Sequence, residues 1–327
     1  MIGHRHRGAA RLTVLAAVIS ILTFGCGAPD GPAKPVNVAL DWSANPAHAG
    51  LLTAIDLGLD REEGVAIRLR TPPSSSDGTR LLLSGRADLA VLDLHDLAIA
   101  QQRGRDLVAV MTVIGKPLAS MIASREVKRP RDLEGRTVAV SGAPSDVAVV
   151  RSIVAADGGD PKLVRIAQSG YATTQALLGG RADAATGFLN EEGVSLAAKN
   201  RGFHVFKLDS YGAPAYPELV LVGTRSVLDS DDGRLKAAVK AMIEGTRLAV
   251  ADPPATLKLL RNRLPGADAA LLEARTSAAL DAMLPPNRLA GSVDPELMRQ
   301  WSEWEAKVGI VAKQPEAARL ISNRFQQ

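Results

Sequence analysis

Cysteine is nearly missing: Cys26 is the single one in 327 residues. That excludes a disulfide-stapled scaffold and any CxxC zinc or redox motif. Aromatic residues make up 3%, so aliphatic side chains must fill the core. No apolar run reaches the ~18 residues of a conventional membrane-spanning helix. A charge surplus is absent too. Arg5, Arg7 and Arg11 lie in the first 25 residues, and without them 36 basic residues face 35 acidic ones. A general nucleic-acid binder needs a basic excess to pair with phosphates, so no nucleic-acid partner is expected. The motifs GxSxG, GxxxxGK[ST], HExxH and GxGxxG do not occur, which weighs against hydrolase, kinase and dehydrogenase classes. His48 and His95 have no Cys or His near them at ligand spacing. No metal and no cofactor is therefore expected.

What is present is globular in composition: 46% hydrophobic and 23% charged residues, enough for a core in each of two lobes. The N-terminus is basic, then apolar from Leu12 to Gly25, then Cys26. Basic, apolar and small is the order of a secretory signal. A cysteine at the end of such a run resembles a bacterial lipobox, which implies lipidation of Cys26, although Leu22 stands four residues before it and Thr23 and Phe24 depart from the pattern. Residues 1–25 are then a signal peptide. Residues 26–35, rich in Gly and Pro, form a lipidated N-terminus and tether.

An internal repeat organises the rest. Leu82–Asp88 reads LLSGRAD and Leu177–Asp183 reads LLGGRAD. Each follows a helix-compatible segment and precedes a short apolar run, a helix stopped by glycine and followed by a strand. Two copies point to two similar lobes. Strands are expected at Val36–Leu40, Val65–Leu69, Leu107–Val113, Leu118–Ala123, Thr137–Ser141 and Glu218–Gly223, with helices at Ala49–Leu57, Val147–Ala156 and from Leu235 onward. The alternation gives an α/β fold with largely parallel sheets and a cleft between two lobes.

Parallel α/β folds bind ligands at the carboxyl ends of their strands. The loops there carry the candidate site: Trp42, Asn45 and His48 in Asp41–Gly50; Pro72–Gly78; Asp93 in Asp93–Asp96; Ser141 and Asp146 in Ser141–Asp146; Phe188 and Glu192 in Gly187–Glu192; and Tyr211, Tyr216 and Glu218 in Tyr211–Glu218. Trp42 either offers a flat face to a planar ligand or packs half-buried. His48 either hydrogen-bonds a ligand or caps its own helix, and the serines and Asp77 of the second loop can cap the helix that follows. Four of ten aromatics after Cys26 lie in these loops, and no Arg or Lys lies in the first, fourth, fifth or sixth. A planar ligand with N–H donors or positive charge suits them better than an anion.

These segments, among them LDWSANPAHAGLLTA (40–54), RPRDLEGRTVAVSGAPSD (129–146), LLGGRADAATGFLNEEG (177–193) and YGAPAYPELVLV (211–222), resemble ABC-transporter substrate-binding proteins of the thiamine-pyrimidine-precursor group, the bacterial relatives of yeast pyrimidine synthase. The resemblance runs in order across residues 36–225. It implies a type II periplasmic-binding-protein fold, with lobe one at 36–123 plus 224–327 and lobe two at 124–223. It implies capture of formylaminopyrimidine or hydroxymethylpyrimidine and delivery to an ABC permease and its ATPase, by a monomer anchored on the extracytoplasmic face of the cell membrane through its lipid. Trp42, Tyr211 and Tyr216 match the stacking positions of that group, and Asp93, Asp146 and Glu192 the acidic ones. Riboflavin, or an alkanesulfonate or taurine-type solute, is the alternative cargo. The synthase relative uses a histidine matching His48 and a cysteine cluster where this chain has Glu218–Val222. With no cysteine after Cys26, no enzyme activity is expected.

Overall fold

In the computed structural model, which describes residues 34–74, 77–199, 202–285 and 288–326, short apolar runs form strands and the glycine-ended segments between them form helices. Cys26, the leader of residues 1–25, most of the 26–35 tether, and Ser75 and Ser76 lie outside the described residues. The strands in chain order begin with β1 (Val36–Ala39), β2 (Ile67–Arg70), β3 (Leu89–Asp93), β4 (Leu107–Ile114) and β5 (Ala119–Ala123). They continue with β6 (Thr137–Val140), β7 (Arg165–Gln168), β8 (Ala184–Phe188), β9 (His204–Lys207) and β10 (Leu219–Thr224). They form two five-stranded sheets, ordered β2-β1-β3-β10-β4 and β7-β6-β8-β5-β9.

The two sheets repeat one plan. Three parallel strands open each sheet, and then one antiparallel strand enters: β10 beside β3 and β4, β5 beside β8 and β9. The expectation of largely parallel sheets therefore gives way to mixed ones. The antiparallel member of each sheet comes directly from the other sheet, so it enters in the opposite direction. Its apolar run looks the same either way. The expected lobe boundaries after 123 and 223 each fall one strand late. The chain crosses between β4 and β5, and returns just before β10, so β5 belongs with the second sheet and β10 with the first. Periodicity shows a buried strand but not the sheet it joins.

The repeat has a physical basis. Helix α1 (Ala49–Asp56) follows β1, and α2 (Asp77–Leu83) and its counterpart each end at a left-handed glycine, Gly85 at φ 67° and Gly180 at φ 68°. The aspartate after each turn then ties its strand to the neighbour. Asn37 N–H donates to Asp88 Oδ2 at 2.8 Å while Asp88 N–H donates to the Asn37 carbonyl at 2.9 Å. Thr137 N–H donates to Asp183 Oδ2 at 2.9 Å while Asp183 N–H donates to the Thr137 carbonyl at 2.8 Å. The shared GRAD thus pins the third of the three parallel strands in each sheet, in chain order, to the first of them.

Three further helices flank the sheets: α3 (Leu94–Gln102), α4 (Asp146–Ala156) and α5 (Thr173–Leu178). A helical region completes the chain with α6 (Asp232–Ala251), α7 (Pro253–Arg263), α8 (Ala269–Met283) and α9 (Pro295–Lys307). Pro253 and Pro295 sit in the first helical turn, where the missing N–H costs nothing. Helix α1 lies backbone to backbone on α6. A Cβ on Gly50 would collide with Thr246 Oγ1, and one on Gly245 would collide with the Gly50 carbonyl oxygen. That contact fixes the start of α1, and with it the loop that carries Asp41 and Trp42. All eight residues of β4 are buried, as its unbroken apolar run requires. No described helix is long and apolar enough to cross a membrane.

Candidate functional site

The loops at the strand ends of both sheets meet in one cleft of about 120 Å³. One water needs roughly 10–15 Å³ on this measure, so the space admits a small ring. The first sheet supplies Asp41, Trp42, Asn45, Asp93 and Asp96; the second supplies Ser141, Ser145, Asp146, Phe188, Glu191 and Glu192. Six lining side chains are carboxyl groups, and among the described residues no Lys or Arg lines this cleft.

Trp42 stands at the mouth. Its ring lies 3.8 Å, centroid to centroid, from Tyr171 at an angle of 57°. Tyr171 hangs on the turn after β7 and donates its hydroxyl to the Pro72 carbonyl, 3.3 Å away beyond β2. The pair therefore joins the two sides of the cleft. Asp96 at the start of α3 makes a second bridge, with Oδ1 accepting from Ser145 N–H at 3.0 Å.

Three of the expected acids are held in place by their own loops. Asp93 Oδ1 accepts from His95 N–H at 2.7 Å and caps α3. Asp146 Oδ2 accepts from Gly142 N–H at 2.7 Å, Ala143 N–H at 3.0 Å and the Ser141 hydroxyl at 2.9 Å. Glu192 Oε2 accepts from Phe188 N–H at 2.9 Å. Such anchoring fixes each carboxyl group before any ligand arrives. Burial raises all three above the ordinary carboxyl range, and it raises Asp96 well above it. Burial pushes Glu191 up to about 7. The Arg275 guanidinium, 3.3 Å from Glu191 Oε2, pulls the other way, and Glu192 and Asp41 add to the rise. Glu191 Oε1 is buried with no hydrogen-bond partner.

Four expected site residues, His48, Tyr211, Tyr216 and Glu218, do not line this cleft. His48 is fully buried. Its Nδ1 accepts from Asn45 N–H at 3.2 Å, and its Nε2 lies 2.6 Å from Asp41 Oδ1. An imidazole accepting at Nδ1 carries its proton on Nε2 and donates it to Asp41. His48 therefore completes a capping box with Asn45 and aims Asp41 at the cleft; capping wins over ligand contact. Asn45 lines the cleft, but its Oδ1 is committed to Ala47 N–H at 2.8 Å. Tyr216 is fully buried behind the floor, 4.9 Å from the His95 ring, and its hydroxyl donates to Glu218 Oε2 at 3.2 Å. Glu218 is also fully buried; its Oε2 accepts from Leu118 N–H and, at 2.7 Å, from Ala119 N–H. It thus ties the outgoing crossing to the returning one. Tyr211 packs edge-on against Phe206 at 6.1 Å, outside the cleft.

Asp41, Asp96 and Glu191 lay within the loops read from the sequence without being singled out. Tyr171 was missed, although the same rule finds it: its turn follows the carboxyl end of β7.

Two mixed sheets joined by crossing strands, with ligand-grade loops facing each other across a cleft, define the periplasmic-binding-protein fold. The alkanesulfonate-binding protein SsuA from Xanthomonas axonopodis pv. citri, bound to MOPS, shares it at a TM-score of 0.69 and 15% identity, over 88% of this chain and 98% of that one. The chain belongs to the NMT1/THI5-like family, which it matches over residues 45–256. It is 29% identical over 282 residues to the formylaminopyrimidine-binding protein of Halalkalibacterium halodurans, covering 84% of this chain and 86% of that protein. It is 26% identical over 163 residues to the 4-amino-5-hydroxymethyl-2-methylpyrimidine phosphate synthase of Legionella pneumophila, covering 49% of this chain and 51% of that enzyme. The family expected from the sequence is the one found.

Proposed function

We propose that this chain is the solute-binding component of an ABC importer and captures an aminopyrimidine precursor of thiamine, formylaminopyrimidine or hydroxymethylpyrimidine. One observation carries the reading: six carboxyl groups line a ring-sized cleft whose lining, among the described residues, includes no Lys or Arg, and one of their oxygens, Glu191 Oε1, is buried without a partner. Amino and ring N–H groups of a pyrimidine supply the donors such a wall lacks. Trp42 and Phe188 supply flat apolar surface for the ring. The same wall would repel a sulfonate, which sets this cleft apart from its sulfonate-binding structural neighbour. The likeness to a formylaminopyrimidine-binding protein along most of both chains supports this cargo.

The two sheets, each with its helices, act as lobes that close on the ligand, and the permease with its ATPase reads the closed form. The protein works as a monomer on the extracytoplasmic face, held by a lipid on Cys26. Isothermal titration with formylaminopyrimidine, hydroxymethylpyrimidine, riboflavin and taurine tests the cargo. Binding of an aminopyrimidine without turnover supports the proposal; binding of taurine alone, or conversion of any of these compounds, contradicts it. Fractionation of cells expressing wild type and Cys26→Ser tests the anchor, and an unchanged membrane fraction would remove it.

A further inference from the structure

Behind the floor of the cleft lies a buried polar cluster that ligand capture alone does not use. Asp93 ends β3 and borders the cleft. His95, in the first turn of α3, is fully buried, with Nδ1 2.7 Å from Oε2 of the fully buried Glu305 on α9. Glu218 reaches the same point from the start of β10. One donor atom each of Asp93, His95 and Glu218 lie within 4.8 Å of one another. Their bonding is incomplete: His95 Nε2, Glu218 Oε1 and Glu305 Oε1 are buried without hydrogen-bond partners. Buried polar atoms are almost always paired, so several bare ones among neighbouring residues call for a missing partner. The charges call for it as well, because three carboxyl groups surround one imidazole.

The arrangement matches what a metal ion requires. An imidazole whose Nδ1 is held by a carboxylate, with Nε2 bare, is the oriented ligand of a carboxylate–histidine–metal triad. Two carboxylates and one imidazole nitrogen make a three-ligand set with an open position. Mixed oxygen and nitrogen donors suit Zn²⁺ or Mn²⁺ better than a soft ion. Sequence spacing hides this set, because Glu218 is far from Asp93 and His95 along the chain; the expectation of no metal rested on neighbours in sequence. We propose that Asp93, His95 and Glu218 bind one divalent cation of the zinc and manganese class, with Glu305 positioning His95.

The test uses the whole chain, stripped with a chelator and titrated with ZnCl2 and with MnCl2 in the absence of any heterocycle. About one equivalent is expected to bind, with a rise in melting temperature. The variant Glu305→Gln keeps the three ligands and is expected to weaken metal binding by about 10–100-fold. Replacing Zn²⁺ by Co²⁺ gives a visible absorption band that His95→Gln shifts or removes, a change that altered folding stability alone does not mimic. Absence of binding, or metal affinity and a Co²⁺ band unchanged in folded His95→Gln and Glu305→Gln, would overturn the proposal. Heterocycle titration in chelator is scored separately, so failure of the metal site and failure of the pyrimidine reading remain distinct.

Discussion

Replacing Glu191 by Gln tests the electrostatics of the cleft in two ways at once. The Glu191 carboxyl stands at about 7 in the folded chain against an ordinary value of 4.5. The folded state therefore holds this proton more tightly than the unfolded state does. Stability from it is complete below about pH 4.5 and is lost as pH rises through about 7. A rise of that size corresponds to roughly 3 kcal/mol, or about 4–5 °C in melting temperature for a chain of this length. Gln has no proton to lose, so the variant lacks this component. Melting of wild type and Glu191→Gln without ligand, at pH 5 and pH 8, should show the larger fall in wild type. An N–H donor placed on Oε1 favours the charged carboxylate, so a bound aminopyrimidine should shrink the wild-type fall. At pH 8 the variant should also bind the ligand less tightly. A charged acceptor is worth about 1–1.5 kcal/mol more than a neutral one, about 5–10-fold in affinity. Parallel melting curves for the two proteins between pH 5 and pH 8 would refute the reasoning.

Other substitutions probe separate parts of the site and fold. Trp42→Ala should weaken heterocycle binding by about 1–3 kcal/mol through lost stacking, and unchanged affinity in titration calorimetry would make Trp42 a packing residue. His48→Ala releases Asp41 and removes the capping box, so it should lower both melting temperature and affinity; Asp41→Asn with His48 intact should lower affinity alone. Gly245→Ala places a methyl group against the Gly50 carbonyl and Ala54 N, so denaturant titration should show a loss of about 1–3 kcal/mol or more.

Much of the fold could be read because the physics there is local. A glycine at φ 67° or 68° ends a helix, an unbroken apolar run makes a buried strand, and the duplicated GRAD marks two similar sheets. Sheet membership could not be read, since β5 and β10 bury the same apolar residues whichever sheet they join. The site followed the same division. The rule that ligands sit at strand ends points to loops that meet in one cleft, and Trp42, Asn45, Asp93, Ser141, Asp146, Phe188 and Glu192 line it. It could not separate a side chain facing the cleft from one facing behind it. Tyr216 and Glu218 belong to a loop of the expected kind, yet both point into the buried cluster beneath the floor, and His48 is turned inward at the start of its own helix by Asn45 and Asp41. Which way a loop residue points depends on contacts with distant segments, such as Glu305 with His95 across 210 residues, and no local pattern contains them.

The most direct test of the account is a crystal structure of the chain grown with formylaminopyrimidine, at neutral pH. The account predicts the pyrimidine ring in the cleft against Trp42, with its amino nitrogen within hydrogen-bond distance of at least one of Asp93, Asp146, Glu191 or Glu192. A ligand bound elsewhere, or held in this cleft without a contact to any of those carboxyl groups, would contradict it.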